Sequence, residues 1–498
     1  MSGLLLDQTV PGATTCLVIG ELPDPAAFPL DRYHSIFWWT HRTRAQATIT
    51  GCDLERMRLG NVEGATPSVI RQTLEQFIRL NPRQLPSLCV TESINGPHHE
   101  IYRTIITETH AVLEDTRRSR FTRQQDGFTW QKHILKNATS YARHRVPASW
   151  ANALRNRPAF IVGAGPSLDV SIPQLTAHAG RAVIFSADSA LRALARHGIT
   201  ADFAVSIDIA KIPAKCLAPD GAPPARVILA SVSPPAWQTA TPSAPLFLSG
   251  HQLTDDWFGT HGIARTMPTV VESCGSTALE LACHLGCDPI HLLGLDLAVD
   301  PANQARRHQK DADATLYVRS NFDPTVRLPR VPGNYAETVP CFALGDWREL
   351  DARLAARTFP RIINVTDRGA RLRGTALIHP DNFRLDSPLL DRNALAIALK
   401  TDASSEPVDG ALTALRMVGE RCTQALPELR HALARRGPAG LAAAFTPLVL
   451  DPEIGRAFGA YALRLMPHLV PPIEGDQAHW QTLLDEFAEL AALACNAT

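Results

Sequence analysis

Short apolar runs recur along this chain, and the residues that close them are small or turn-forming. Residues 15–20, TCLVIG, read as a first short strand, residues 35–39 as a second and residues 86–91 as a third. Between the last two, the spacing predicts a helix from Pro67 to about Leu80, with Ile70, Leu74, Phe77, Ile78 and Leu80 on one side and Ser68 near its start. Residues 100–150 read as helical and basic, ending near Pro147. After Pro158 the pattern becomes a regular alternation. Strands are predicted at 159–162, 181–185, 202–207, 226–231, 245–249, 290–295 and 360–365. Helices are predicted at 190–196, stopped by Gly198, and from Ser273 to Gly286, with Leu279, Leu281, Ala282 and Leu285 on the apolar side.

Strands alternating with helices imply an α/β fold with a Rossmann-like, mostly parallel central sheet. From about residue 390 the chain turns Ala- and Leu-rich with helical periods at 412–422, 426–435 and 480–495. Three regions are therefore expected, in line with the length of 498 residues: a small N-terminal α/β region with a helical linker (1–140), the central domain (141–385) and a helical C-terminal domain (386–498). The segment 300–335 is polar, rich in Arg and Asp and weakly patterned, which suits a functional loop. No internal repeat is present.

Composition narrows the class without naming an activity. Hydrophobic residues make up 45% and charged residues 20%, ordinary values for a globular chain. Basic and acidic residues balance at 49 each, so no global charge points to nucleic acid or an anionic membrane. No run approaches the ~18 apolar residues of a membrane span, and the N-terminus lacks the basic start of a secretory signal. Ten scattered cysteines without metal-ligand spacing suit reduced thiols in a cytoplasm. Abundant Ala, Arg and Pro fit a GC-rich bacterial genome.

The candidate chemistry lies at the carboxyl ends of the strands, where parallel sheets bind ligands. Gly163-Ala164-Gly165-Pro166-Ser167 joins a strand to a helix with almost no side-chain bulk, so its N–H groups suit a phosphate. No Lys follows to make a P-loop, Leu168 stands where a dinucleotide fingerprint needs a third glycine, and Pro166 has no N–H. Asp188 and Ser189 follow the next strand, where an acid binds ribose or caps a helix. Ser273, Gly275 and Ser276 open a helix and offer a second anion site or a plain cap. Asp208 and Asp296 end strands and suit a sugar, a metal or a turn, although no acidic pair or His cluster supports a metal. His308, in Arg306-Arg307-His308-Gln309-Lys310, is a candidate general base or a solvated loop residue, and the arginines beside it suit a phosphate or carboxylate.

In order and spacing, several of these segments resemble one family. The turn 163–168, then Ser186-Ala187-Asp188-Ser189-Ala190-Leu191, His197-Gly198-Ile199-Thr200-Ala201-Asp202 and Ile207-Asp208 are similar to the MptE-like domain at the core of the Maf (motility associated factor) glycosyltransferases. The likeness continues through Gly275-Ser276-Thr277-Ala278, Leu285-Gly286, Gly294-Leu295-Asp296-Leu297-Ala298, His308 and Ile363-Asn364-Val365-Thr366-Asp367-Arg368-Gly369-Ala370. It covers about residues 140–380.

The resemblance implies a sialyltransferase-like sheet. It also implies inverting transfer of a nonulosonic acid, of the pseudaminic or legionaminic type, from a CMP-activated donor to Ser/Thr of flagellin in the cytoplasm, in support of motility. The donor would sit on Gly163, Ala164, Gly165, Pro166, Ser167, Asp188, Ser189, Asp208, Ser273, Gly275, Ser276 and Asn364. His308 and Asp296 would be catalytic, with no resident cofactor or metal. Where related sialyltransferases place Asn and a Thr-Ser-Gly turn, this chain has Ala164 and Ser273-Cys274-Gly275.

Three other readings share parts of this pattern. A 6-hydroxymethylpterin diphosphokinase would use ATP and Mg²⁺ on Asp208 or Asp296. A non-catalytic flagellin-binding scaffold would keep a degenerate nucleotide fold. An NAD-dependent oxidoreductase is disfavoured by Pro166 and Leu168.

Overall fold

The computed structural model describes residues 4–42, 56–78, 84–300, 306–310, 328–400, 408–471 and 473–497. Two units pack separately: one of residues 1–127, 432–449 and 462–480, the other of residues 128–431, 450–461 and 481–498. A long helix, His99–Arg143, contributes to both. Another, Val408–Leu450, is also shared and is broken at Gly437, where φ is +65°.

In the first unit, five strands form one sheet: β1 (Leu4–Gln8), β2 (Thr15–Ile19), β3 (Ser35–Thr40), β4 (Met57–Asn61) and β5 (Ser87–Thr91), in the order β1-β5-β2-β3-β4. Only β1 runs antiparallel to its neighbour. The two-residue strand period divides the apolar run of β2. Leu17 and Ile19 join the cluster with Phe37 and Trp39, onto which helix α1 (Pro67–Ile78) lays Ile70, Leu74, Phe77 and Ile78. Cys16 and Val18 face the opposite cluster with Phe28, Ile36 and Trp38. Leu80, expected on the same helix, lies outside the described residues.

The second unit carries the sheet expected from the alternation. Its strands are β6 (Ala159–Val162), β7 (Val183–Ala187), β8 (Phe203–Ser206), β9 (Arg226–Leu229), β10 (Leu246–Phe247), β11 (Ile290–Leu293), β14 (Ile362–Val365) and β15 (Ala376–Ile378). Strands β12 (Arg330–Pro332) and β13 (Thr338–Pro340) form a separate antiparallel pair. The order is β10-β9-β8-β7-β6-β11-β14-β15, and every pairing is parallel. Strands β6, β7, β8 and β11 are buried at every position, which is why they read as unbroken apolar runs. A fully buried Val, Leu, Ile or Phe stabilises by about 1.5–3 kcal/mol, and Ile161, Phe185, Phe203, Ile228 and Leu292 share one core.

The succession of strands runs outward from β6 to β10 on one side, then restarts at β11 on the other. That reversal between β6 and β11 opens a crevice beyond their carboxyl ends. Three helices begin at these ends: α3 (Leu168–His178), α4 (Leu191–Arg196) and α5 (Cys274–His284).

Several details differ from expectation. Strand β7 runs on through Ser186 and Ala187, beyond its expected end at 185, and a short 3₁₀ turn, Asp188–Ala190, precedes the helix. Strands β1, β4 and β15 were not anticipated, and the end of the polar segment 300–335 pairs as β12 instead of remaining a loop. Residues 301–305 and 311–327 of that segment lie outside the described residues. Among the described residues no helix is long and apolar enough to cross a membrane.

The two turns at the reversal touch backbone to backbone. A Cβ on Gly163 would lie 2.5 Å from the Gly294 carbonyl oxygen, and one on Gly294, at φ +67°, would lie 2.5 Å from the Gly163 carbonyl oxygen. Neither clash can be relieved by a side-chain rotation. Gly163→Ala and Gly294→Ala are each expected to destabilise by about 3 kcal/mol or more. Gly198→Ala, with φ +68° but open space around it, is expected to cost about 1–2 kcal/mol. Urea unfolding midpoints of the three variants check this ranking.

Candidate functional site

The glycine turn binds an anion, but the anion belongs to the chain. The Gly163 and Gly165 N–H groups donate to the carbonyls of Leu293 and Gly294, both at 2.8 Å. The Ser167 N–H donates to Asp296 Oδ2 at 2.7 Å, and the Ser167 hydroxyl donates to Asp296 Oδ1 at 2.6 Å. Pro166 contributes no N–H. The carboxylate therefore occupies the helix terminus that sequence reasoning gave to a phosphate. Burial pushes the Asp296 carboxyl up to about 6, against the Ser167 hydrogen bonds, which favour the charged form. The residue is 3% exposed. Its geometry makes it a clamp on the turn. Ser167 has both of its donors on that clamp and no exposed surface.

Asp188 is a second buried anion. At the end of β7, its Oδ1 accepts from the Ser189 N–H at 2.7 Å and pairs with Lys211 Nζ at 3.4 Å. Its Oδ2 accepts from the Ser206 hydroxyl at 2.8 Å and from the Cys274 thiol at 3.5 Å. A ribose partner or a helix cap was the expectation for Asp188; here both oxygens have donors within the chain and the side chain is fully buried. It joins the ends of β7 and β8 to the start of α5. Burial, with Asp188 adding to it, raises the Cys274 thiol, so the sulfur stays protonated and donates.

At α5 the serines form a reciprocal cap. The Ser276 N–H donates to the Ser273 hydroxyl at 3.2 Å, and the Ser273 N–H donates to the Ser276 hydroxyl at 3.0 Å. This is the capping alternative, and it engages both hydroxyls. At Gly275 the Leu295 side chain packs into the space that a Cβ would take. Asp208 is exposed and accepts from the Ala210 N–H at 2.8 Å, bending its own loop. Asn364 is an interior residue of β14 at 2% exposure. Ser189 is 7% exposed.

His308 is brought to the turn. The Gln309 N–H donates to the Ala164 carbonyl at 2.8 Å, and the His308 ring hydrogen-bonds the Ala164 backbone. Asp169, in the first turn of α3, accepts from the Lys310 N–H at 3.2 Å and from the Arg306 guanidinium. Arg306 also reaches Asp300 at 3.3 Å, and Arg368 meets the same Asp300 oxygen at 3.0 Å. The short segment 306–310 is thus strapped across the turn. The edge of the His308 ring meets Phe342, with centroids 5.8 Å apart. Burial first, then the charges of Lys211 and Arg307, lower the His308 imidazole to about 3, so the ring is neutral at ordinary pH.

The groups near the crevice that could meet a ligand are therefore the Ala164 backbone, His308, Lys211 and the start of α5 at Cys274 and Gly275. Lys211 was absent from the sequence-derived set. A single lysine in a polar loop gives no pattern, and only the Asp208 bend at the end of β8 brings it to Asp188. Among the described residues no group of three or more His, Cys, Asp or Glu is placed to hold a metal. Of the two acids considered as Mg²⁺ ligands, Asp296 is engaged by Ser167 and Asp208 accepts from the Ala210 N–H on its own turn.

Comparison with known proteins agrees with this architecture. The family model described as 6-hydroxymethylpterin diphosphokinase MptE-like matches residues 132–301. A solved structure of a MAf glycosyltransferase from Magnetospirillum magneticum AMB-1 is similar in fold, with a TM-score of 0.55 and 18% identity, covering 97% of this chain and 78% of that one. No curated protein matches the chain. The part of this sheet from β6 to β11, where the strand order reverses, thus lies in the region similar to the MptE-like model, in a chain whose fold is similar to that of the MAf glycosyltransferase structure.

Proposed function

We propose that the protein is an inverting glycosyltransferase that moves a nonulosonic acid from a CMP-activated donor to Ser/Thr hydroxyls of flagellin in the cytoplasm, in support of flagellum assembly. The observation that carries this reading is the neutral His308 strapped over the Ala164 turn at the strand-order reversal, with Lys211 and the start of α5 close by. The name of the structural relative supports transfer of a sugar. CMP is a good leaving group, so a base and a cation suffice in principle. The neutral imidazole accepts the proton of the acceptor hydroxyl as its oxygen bonds to the anomeric carbon. The bond from that carbon to the phosphate oxygen breaks, and its electron pair leaves with CMP. Charge developing on the phosphate is stabilised by fixed donors and cations.

The competing reading, pyrophosphate transfer from ATP, is favoured by the description of the matching family and opposed by the positions of Asp208 and Asp296. Thermal unfolding separates the two. CMP at a hundredfold excess over its Kd is expected to stabilise the protein by about 2.7 kcal/mol, whereas Mg-ATP gives no rise. The reverse result assigns the protein to the kinase class. For the acceptor, intact-mass analysis of flagellin from cells with and without the gene is expected to show discrete nonulosonic-acid increments lost in the deletion.

His308→Gln is expected to lower turnover by about 10²–10⁴-fold with the CMP-induced stabilisation kept; unchanged turnover removes His308 from the mechanism. The same variant has a pH signature. The folded imidazole titrates near 3 and the unfolded one near 6.5. Between those values the unfolded chain binds the proton, so wild-type stability falls as pH drops through this window. His308→Gln is expected to flatten that part of the acid-side loss, measured by urea unfolding across the pH range.

A further inference from the structure

We infer that Lys211 takes the donor's phosphate and, by doing so, switches on His308 as the base. The inference rests on the donor reading above and deepens it, because it ties the first substrate to the proton transfer needed by the second.

The geometry starts with Asp188. Four donors surround its carboxylate, and Lys211 is the charged one, carried on a flexible and partly exposed side chain. The Ser189 N–H, at 2.7 Å, and the Ser206 hydroxyl, at 2.8 Å, are short and fixed by the sheet ends. The Cys274 thiol is anchored at the start of α5. Lys211 stands further off at 3.4 Å, with a side chain that is 15% exposed against none for Asp188. If the ammonium swings to a ligand, Asp188 still accepts hydrogen bonds from the Ser189 N–H, the Ser206 hydroxyl and the Cys274 thiol. The lysine backbone stays in place meanwhile. The Trp237 indole N–H donates to the Lys211 carbonyl at 2.8 Å, and the Asp208 bend precedes it.

The groups facing His308 complete the argument. Two cations act on its ring, Lys211 and Arg307, together with the Ala164 backbone and the apolar edge of Phe342. Arg307 lies against the same Phe342 ring, its guanidinium carbon 5.4 Å from the centroid. In this field the imidazole is a poor base, since an added proton would face two positive charges as well as burial. A donor phosphate on Lys211 neutralises one of those charges and brings its own negative charge. The ring then becomes more basic when the donor is seated. The acceptor hydroxyl loses its proton to a ring poised by the donor, and the leaving CMP retains Lys211 as counter-ion while the glycosidic bond forms.

The test uses the full-length protein with ¹⁵N-labelled histidine, the His308 signals being assigned with His308→Gln. Titration without ligand is expected to keep the ring neutral to low pH. CMP is expected to raise its titration midpoint by about 1–3 units, the usual effect of an opposite charge nearby, whereas cytidine, which lacks the phosphate, leaves it unchanged. Lys211→Gln is expected to raise the midpoint in the free protein and abolish the response to CMP, and Lys211→Arg to preserve it. If Lys211→Gln does not fold, the CMP and cytidine comparison on wild type and Lys211→Arg still decides. CMP that raises the melting temperature but leaves the His308 midpoint unmoved overturns the inference while the donor reading stands. CMP that gives no thermal stabilisation at all removes the donor reading, and this inference with it.

Discussion

A single close contact organises the second unit: the glycine turn after β6 lies against the loop after β11 with no side chain between them. Gly163 and Gly294 allow the backbones to meet, Gly163 and Gly165 donate across the gap, and Asp296 closes it through two hydrogen bonds to Ser167. A buried carboxylate is costly unless its oxygens are hydrogen-bonded, and here the turn supplies the bonds while the carboxylate satisfies the turn. The start of α3, the height of Ala164 and the position of the strap at 306–310 all follow from this contact. Thr366 and Gly369, on the loop after β14, reach the same carboxylate from the far side, so three strand ends converge on Asp296.

Much of the fold was legible because the second unit's strands are buried on both faces. Ala159 to Val162 and Val183 to Ala187 read as unbroken apolar runs, and the glycines at 198 and 286, with φ +68° and +80°, mark helix ends. What the pattern missed has a physical reason. Strand β1 alternates half-buried with exposed positions, β4 contains Gly60 beneath Phe37 and Trp39, and β15 is largely exposed. None of the three presents the continuous apolar signal that a covered strand does.

The polar residues at the strand ends were legible in position, but their partners were not. The polar residues at the strand ends do cluster, yet most face one another. Asp296 clamps Ser167, Ser273 and Ser276 cap each other, and Asp188 gathers three neutral donors and a lysine. Sequence can place an acid at a strand end but cannot say which neighbour will satisfy it, because that partner is distant in the chain. Ser167 and Asp296 are 129 positions apart, Asp188 and Cys274 86. His308 is the opposite case. A solvated basic run was one of its two readings, whereas Asp169 and Ala164 bind that run down, and burial with the charges of Lys211 and Arg307 keeps the ring neutral.

The separation between Ser167 and Asp296 also bears on how the chain is made. As synthesis proceeds, β6 can pair with β7, β8 and β9 soon after each emerges, because they follow in order on one side. Its other edge must wait for β11. At 5–20 residues per second, translation of the 129 intervening positions takes on the order of ten seconds. Throughout that interval a wholly apolar central strand presents an unpaired edge on the ribosome, open to mispairing with a neighbouring nascent chain. The arrangement that creates a crevice for a ligand in the finished protein therefore creates a window of vulnerability during its birth, and the arrival of Asp296 closes it.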